Sequence, residues 1–164
     1  MTILVLSDSH STLRFMRQCV QAVKPNALIH LGDYFDDGVT LAEEFPEIPF
    51  YQVPGNCDRY RCPPGQPEIL VDKICGVRVY MTHGHRHQVK LSIGALLKDA
   101  RAARVDGVLY GHTHWSVAVR EPDGLWRINP GSIGYSRRYA LITISGRNMD
   151  AQLCRLPEPE KKEE

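Results

Sequence analysis

Five short apolar runs, each ending on a side chain able to bind a metal ion, constrain this chain more than any other feature of its sequence. Residues 2–7 lead into Asp8, Ser9 and His10, and residues 27–31 lead into Gly32 and Asp33. Residues 50–53 end at Pro54, Gly55 and Asn56, and residues 77–82 end at His83. Residues 107–110 run into Gly111, His112, Thr113 and His114. Runs of this length, rich in β-branched residues and bounded by Gly, Pro, Asn or Asp, read as buried strands. The carboxyl ends of parallel strands share one sheet edge, and the loops leaving that edge build the site. Asp8, His10, Asp33, Asn56, His83, His112 and His114 are therefore expected to converge, although 106 positions separate the first from the last.

The segments between the runs supply helices. Leu13, Met16, Cys19, Val20 and Val23 recur at helical spacing, with Ser11 or Thr12 available as a cap and Pro25 beyond the end. A β-α-β unit follows. A second, short helix is expected over residues 39–45. A third is expected over 89–103, with Leu91, Ala95, Leu96, Ala100 and Ala103 as its inner stripe. After His114 the pattern changes to hairpin strands over 116–120, 126–129, 139–145 and 151–156, with Asp123-Gly124 as a turn signal. A mixed sheet results. Residues 59–67, with Pro63, Pro64, Gly65 and Pro67, read as an irregular surface loop.

The 164 residues, 43% of them hydrophobic, are enough for one domain with a full core, placed at residues 1–156. Residues 157–164 hold two prolines, four glutamates and two lysines, and read as a disordered, charged tail. A formal net charge of only +1 argues against a polybasic surface and a stable nucleic-acid complex, so any phosphate chemistry must be local. The apolar start reaches Asp8 too soon for a signal peptide, and no apolar stretch is long enough to span a membrane. The expectation is a cytoplasmic protein. Cys19, Cys57, Cys62, Cys75 and Cys154 are an odd, scattered set without a C-x-x-C pair, which argues against a disulfide framework or a structural zinc knot.

Two aspartates, four histidines and an amide oxygen form a mixed N/O donor set without thiolates, suited to Mn, Fe, Co, Ni or Zn. Seven ligands are too many for one such ion. They suit two divalent ions that share a carboxylate and keep positions open for water and substrate. In an extended segment His112 and His114 point the same way, so each can serve a different ion. Two ions about 3.5–4 Å apart lower the pKa of a bridging water, making a hydroxide near neutral pH, and hold an anionic ester for in-line attack. Each residue alone has an ordinary role, as a helix cap for Asp8 or Asp33 and in a turn for Asn56. As an ordered set they favour metal binding. His30, inside a strand run, reads as a hydrogen-bonded core histidine or one that supports a ligand from behind rather than as a metal ligand, and His87 reads as solvent-exposed.

The ordered motifs Asp8-x-His10, Gly32-Asp33, Gly55-Asn56-Cys57-Asp58, Thr82-His83-Gly84-His85 and Gly111-His112-Thr113-His114 resemble the calcineurin-like metallophosphoesterases. Within that superfamily they are closest in pattern to the small bacterial and archaeal phosphodiesterases, and Asn129-Pro130-Gly131-Ser132 extends the match. The resemblance implies an α/β fold, a four-layer αββα sandwich with two mixed sheets between helices. It implies one ion held by Asp8, His10, Asp33 and His114, and another by Asp33, Asn56, His83 and His112, with Asp33 as the bridge. Asp33, Asn56, His83, His85 and Asp58 are the expected catalytic residues, with His85 either transferring a proton or supporting a ligand from behind, and Asp58 fixing a backbone or orienting a ligand histidine.

Relatives work commonly with manganese and hydrolyse phosphodiesters, so a small diester or nucleotide-like molecule is the expected substrate. A homodimer or homotetramer is an expectation of the same kind. Two departures shape these expectations. Cys57 replaces the histidine that assists the leaving group in many members, which favours diesters with good leaving groups over monoesters. No arginine follows Asp36-Asp37, unlike in protein serine/threonine phosphatases. Other relatives have lost metal-binding histidines and serve as scaffolds in vesicle-coat assemblies; a weak or inactive scaffold of that kind, or a phosphomonoesterase, is the alternative.

Overall fold

Ile3, Leu4, Val5 and Leu6 are all inaccessible to solvent, so the first strand is covered on both faces. Its side chains alternate between two cores: Ile3 and Val5 join one cluster, Leu4 and Leu6 another. That division is possible only if a sheet lies between two further layers. Burying each such aliphatic side chain contributes about 1.5–3 kcal/mol.

The computed structural model describes residues 1–158. In chain order the elements are β1 (Thr2–Leu6), α1 (Leu13–Val23), β2 (Ala27–His30), α2 (Phe35–Glu44), β3 (Phe50–Gln52), β4 (Ile69–Ile74) and β5 (Val77–Thr82). There follow α3 (Gly94–Ala102), β6 (Gly107–Leu109), β7 (Val117–Arg120), β8 (Trp126–Asn129), α4 (Ile133–Ser136), β9 (Arg138–Ser145) and β10 (Asn148–Arg155). Two five-stranded sheets form, in the orders β10-β9-β1-β2-β3 and β4-β5-β6-β8-β7. Strands β1, β2 and β3 run parallel, as do β5, β6 and β8, while the remaining pairings are antiparallel. Both sheets are therefore mixed.

Ile29, Leu31, Val79, Met81, Leu109 and Ile128 pack between the sheets. Met16, Cys19 and Val20 of α1 and Leu41 of α2 cover the outer face of the first sheet, against Leu4, Leu6 and Leu28. Leu96, Leu97 and Ala100 of α3 cover the second sheet, against Tyr80 and Val108. The four layers of an αββα sandwich result, and all six parallel strands deliver their carboxyl ends to one edge.

Several local expectations require correction. Helix α2 begins at Phe35 rather than at residue 39. The carboxylates of Asp36 and Asp37 lie in its first turn, where the helix dipole favours them. The buried Asp58 carboxylate also accepts from Phe35 N at 2.8 Å, replacing the missing side-chain cap. Helix α3 begins at Gly94, and the preceding residues are turns. Its inner face is Leu96, Leu97 and Ala100; Leu91 is 83% exposed and Ala95 lies outside. Thr12 is the N-cap of α1 but makes no side-chain cap hydrogen bond.

Strand β4 and the short α4 are absent from the sequence reading. An edge strand with one buried residue has no full apolar run, and a four-residue helix has no periodicity to detect. His87 is not solvent-exposed: 7% of its side chain is accessible, and Nε2 lies 3.2 Å from both Tyr80 Oη and Asp99 Oδ2. Of the expected tail, Arg137 donates to the Pro157 carbonyl and pairs with Glu158; residues 159–164 lie outside the described residues. Among the described residues no helix is long and apolar enough to cross a membrane.

Candidate metal centre

Each loop leaving the common edge turns sharply, and several turns use left-handed backbone at non-glycine residues. Asp8, His10, Asp33, Tyr34, His112 and His114 all have φ between 45° and 69°. Such conformations cost energy for residues with a Cβ and persist where the surroundings over-determine them. Here the surroundings are hydrogen bonds. Asp8 N donates to the Gly32 carbonyl at 2.9 Å, and Gly111 N donates to the His83 carbonyl at 3.0 Å. Gly32 has φ +98°, and any Cβ there would strike the backbone of Gly55. The Asp33 and Asn56 turns therefore pack directly on one another.

The seven expected ligands come from five turns and from both sheets, and they meet. His10 Nε2 lies 4.0 Å from Asp8 Oδ1 and 3.9 Å from Asp33 Oδ2. His83 Nε2 lies 3.5 Å from the same Asp33 oxygen, 4.0 Å from Asp8 Oδ1 and 3.1 Å from Asn56 Oδ1. His114 Nε2 is 3.1 Å from Asp8 Oδ1. The His112 ring centroid is 5.0 Å from that of His83. Asp8, His10 and His114 form one compact triad, and Asp8, Asp33 and His83 another, with the donor atoms of each within 4.8 Å. Asp8 belongs to both triads, while Asp33 Oδ2 stands between His10 and His83.

Donor chemistry tests whether these residues fit metal ions. His83 Nδ1 lies 2.8 Å from the Leu31 carbonyl, which can only accept, so Nδ1 carries the proton. In the neutral ring Nε2 then offers a lone pair. It faces an amide oxygen and two carboxylate oxygens that are acceptors too, an arrangement that only a cation or a proton reconciles. His10 Nε2 is buried without a hydrogen-bond partner. The residues fit.

Supporting groups fix the ligands. The Asp58 carboxylate, fully buried, accepts from Asp33 N at 2.9 Å and Gly55 N at 2.7 Å, besides Phe35 N. It holds the Asp33 and Asn56 turns together and touches none of the histidines by hydrogen bond. Cys57 N donates to Asp33 Oδ1 at 2.9 Å, leaving Oδ2 for the centre. Three supports escaped the sequence reading as site residues. The Ser7 hydroxyl donates to Asp8 Oδ2, and the Ser132 hydroxyl donates to the Asp8 carbonyl at 2.8 Å. Asn129 Nδ2 donates to the Gly111 carbonyl and to Thr113 Oγ1, bracing the His112 and His114 loop. The available signal was position: Ser7 and Asn129 stand at strand ends exactly as the ligands do.

Electrostatics separates the members. Burial pushes the Asp8 carboxyl up, but the hydrogen bond to His114, the nearby His83 and the Ser7 hydroxyl together hold it below its usual value. Burial, His83 and Lys90 pull His112 down to about 4. His114 is raised, chiefly by its hydrogen bond to Asp8. His85 is lowered by burial and by His83, and its Nδ1 is buried without a partner. His85 lies 5.5 Å from the His83 ring, where a groove of about 730 Å³ leads away past Asn56, Arg59 and Arg86. Burial and Asp33 push the exposed Cys57 up to about 11, a neutral thiol rather than a nucleophilic thiolate. His30 is fully buried, as expected, but both its ring nitrogens lack a hydrogen-bond partner, so it is not the satisfied core histidine that its strand position suggests.

Known proteins share this arrangement of chain. A probable metallophosphoesterase of Bacillus subtilis is 30% identical over 155 residues, covering 88% of this chain and 85% of its own. A predicted phosphoesterase of Streptococcus pneumoniae superposes with a TM-score of 0.78 at 28% identity, over 94% of this chain and 88% of that one. An archaeal phosphodiesterase shares the fold with a TM-score of 0.68 at 24% identity, over 94% of this chain and 100% of that one. The sequence matches the calcineurin-like phosphoesterase superfamily domain over residues 1–147. With carboxylates, imidazoles and an amide oxygen gathered at the strand ends of an αββα sandwich, the chain belongs to the calcineurin-like phosphoesterase superfamily.

Proposed function

We propose that the protein is a dinuclear metal-dependent phosphodiesterase acting on small diesters or nucleotide-like substrates. The observation that carries this reading is Asp33 Oδ2 standing 3.9 Å from His10 Nε2 and 3.5 Å from His83 Nε2, a carboxylate oxygen between one histidine of each proposed ion. Asp8, His10, Asp33 and His114 would hold one ion, and Asp33, Asn56, His83 and His112 the other. The N/O donor set suits manganese, with nickel, cobalt, iron or zinc as substitutes. When bound, such ions supply a water nucleophile near neutral pH and neutralise the charge of the ester.

The chain's own residues then position and protect. Asp58 and Cys57 N keep Asp33 oriented, the Leu31 carbonyl fixes the His83 tautomer, and Ser7 does the same for one Asp8 oxygen. His85, which lines the groove beside Asn56, would pass a proton to the departing alcohol. Cys57, neutral and exposed, is a poor proton donor for an alkoxide, which favours diesters whose leaving group needs little help.

The test is manganese-dependent release of nitrophenol from bis-(p-nitrophenyl) phosphate by the wild type, Asp33→Ala and Asn56→Ala, with metal analysis of each protein. Loss of release in both variants is expected. A wild type that stays inert with manganese supplied favours the scaffold alternative, and full activity in either variant refutes the assignment of ligands.

A further inference from the structure

The surroundings of the centre differ from side to side. Beyond Asn56 and His85 the groove carries the charged side chains of Arg59, Arg86 and Glu68 among prolines, with no Phe, Tyr or Trp ring among the described residues of its wall. Beside His10 and His114 stands an aromatic ring. Tyr135 is 70% exposed, yet its ring centroid is 4.6 Å from that of His10 and 5.3 Å from that of His114. Part of the ring is engaged with two imidazoles of the centre while most of its surface is open to solvent.

Its position is fixed by the centre itself. Tyr135 N donates to Ser132 Oγ at 3.0 Å, and that hydroxyl donates to the Asp8 carbonyl. Gly134 N also donates to the Asp8 carbonyl, at 3.2 Å, and a Cβ at Gly134 would collide with the Ser9 carbonyl. The segment carrying Tyr135 is thus stapled to the loop carrying Asp8 and His10. Tyrosine offers a large, stiff contact surface at low conformational cost, and aromatic side chains so placed stack on planar rings.

We propose that Tyr135 is a stacking platform for a planar ring on one arm of the substrate, which selects diesters bearing a nucleobase or aryl group over those with small alkyl arms. The proposal rests on the phosphodiesterase reading for the position of the phosphate, between the carboxylates and the platform. Only the arm directed past His10 and His114 meets the ring; the other lies in the groove lined by Arg59, Arg86 and Glu68. Tyr135 is a specificity residue that takes no part in breaking the ester bond.

A binding measurement separates this proposal from the hydrolytic one. Manganese-loaded wild type, Tyr135→Phe and Tyr135→Ala are titrated calorimetrically with thymidine 5′-monophosphate and with methyl phosphate. Stacking on an aromatic side chain is worth about 1–3 kcal/mol per base, so Tyr135→Ala should weaken the thymidine ligand about 5- to 150-fold. Tyr135→Phe should retain most of the affinity, and methyl phosphate should change little in either variant. Three results overturn the proposal: a wild type without preference for the thymidine ligand, an equal loss for both ligands in Tyr135→Ala, or a Tyr135→Phe as weak as Tyr135→Ala. The equal loss would mean that the ring only supports His10. Failure to hydrolyse bis-(p-nitrophenyl) phosphate, by contrast, overturns the hydrolytic reading and leaves the binding result to stand or fall by itself.

Discussion

The two ends of the same sandwich handle polar groups in opposite ways. At the far end, where the strands begin and the Gly76, Gly124 and Gly146 turns lie, charges meet as exposed pairs such as Arg101–Asp123 at 2.6 Å, each partner nearly half accessible. At the carboxyl end, Asp8, Asp33 and His83 are buried, and lone pairs converge without enough protons between them. Water satisfies the first arrangement. The second is held by the fold against its own repulsion, the signature of a site arranged for a cation rather than for stability.

The largest effect that would break this contrast is expected from Asp33→Asn. Metal-dependent hydrolysis should fall about a thousandfold or more, since a bound ion supplies several kcal/mol of charge stabilisation. The melting temperature without metal should hold or rise, because a buried repulsive charge has gone. A variant that melts earlier and still turns over would place the strain elsewhere. Next comes Asn129→Ala, which unbraces the His112 and His114 loop; groups behind the ligands are worth about 10- to 100-fold in metal affinity or activity. Manganese titration with the activity assay reads it.

Manganese itself should stabilise the wild type by about 2.7 kcal/mol at a hundredfold excess over its dissociation constant. For a protein of this size that is a rise of roughly 5–10 °C in Tm, absent in Asp33→Asn.

A smaller effect concerns pH. Burial lowers His30, and burial with His83 and Lys90 lowers His112 to about 4, both from 6.5. Between those values the unfolded chain binds more protons than the folded one, so metal-free stability is full above about 6.5 and declines as pH falls towards 4. His114 is raised and works the other way: its contribution is present below 6.5 and fades as pH rises through its folded value. His85, also lowered by burial, acts in the same direction as His30 and His112, so urea midpoints should fall between about pH 7 and about pH 5, less steeply than these three alone would give. The smallest effect is expected at the far end. Arg101→Ala should change stability by no more than about 1 kcal/mol and leave activity unchanged.

How much of this could be read from the chain follows from the same contrast. Strands buried on both faces announce themselves as apolar runs, and their carboxyl ends pointed to Asp8, Asp33, Asn56, His83 and the two histidines after β6. Edge strand β4 has no such signal, because solvent replaces one neighbour and Asp72 and Lys73 interrupt the run. The first turn of helix α2 is not legible in sequence, because the carboxylate that accepts from Phe35 N belongs to Asp58, which approaches only through the fold. His87 looked free for the same reason: Tyr80 and Asp99 reach it from another strand and another helix. Ser7, Ser132 and Asn129 are ordinary polar residues in sequence, and only their hydrogen bonds to Asp8 and Gly111 reveal their work.

The ligands are divided between the layers, with Asp8, His10, Asp33 and Asn56 following strands of the first sheet and His83, His112 and His114 following strands of the second. Ions bound there would rivet the two layers along one seam. Slow amide exchange should then spread, on loading, from the centre into β2 and β5, on opposite sides of that seam, and removal of the ions should let the layers breathe apart from this end first.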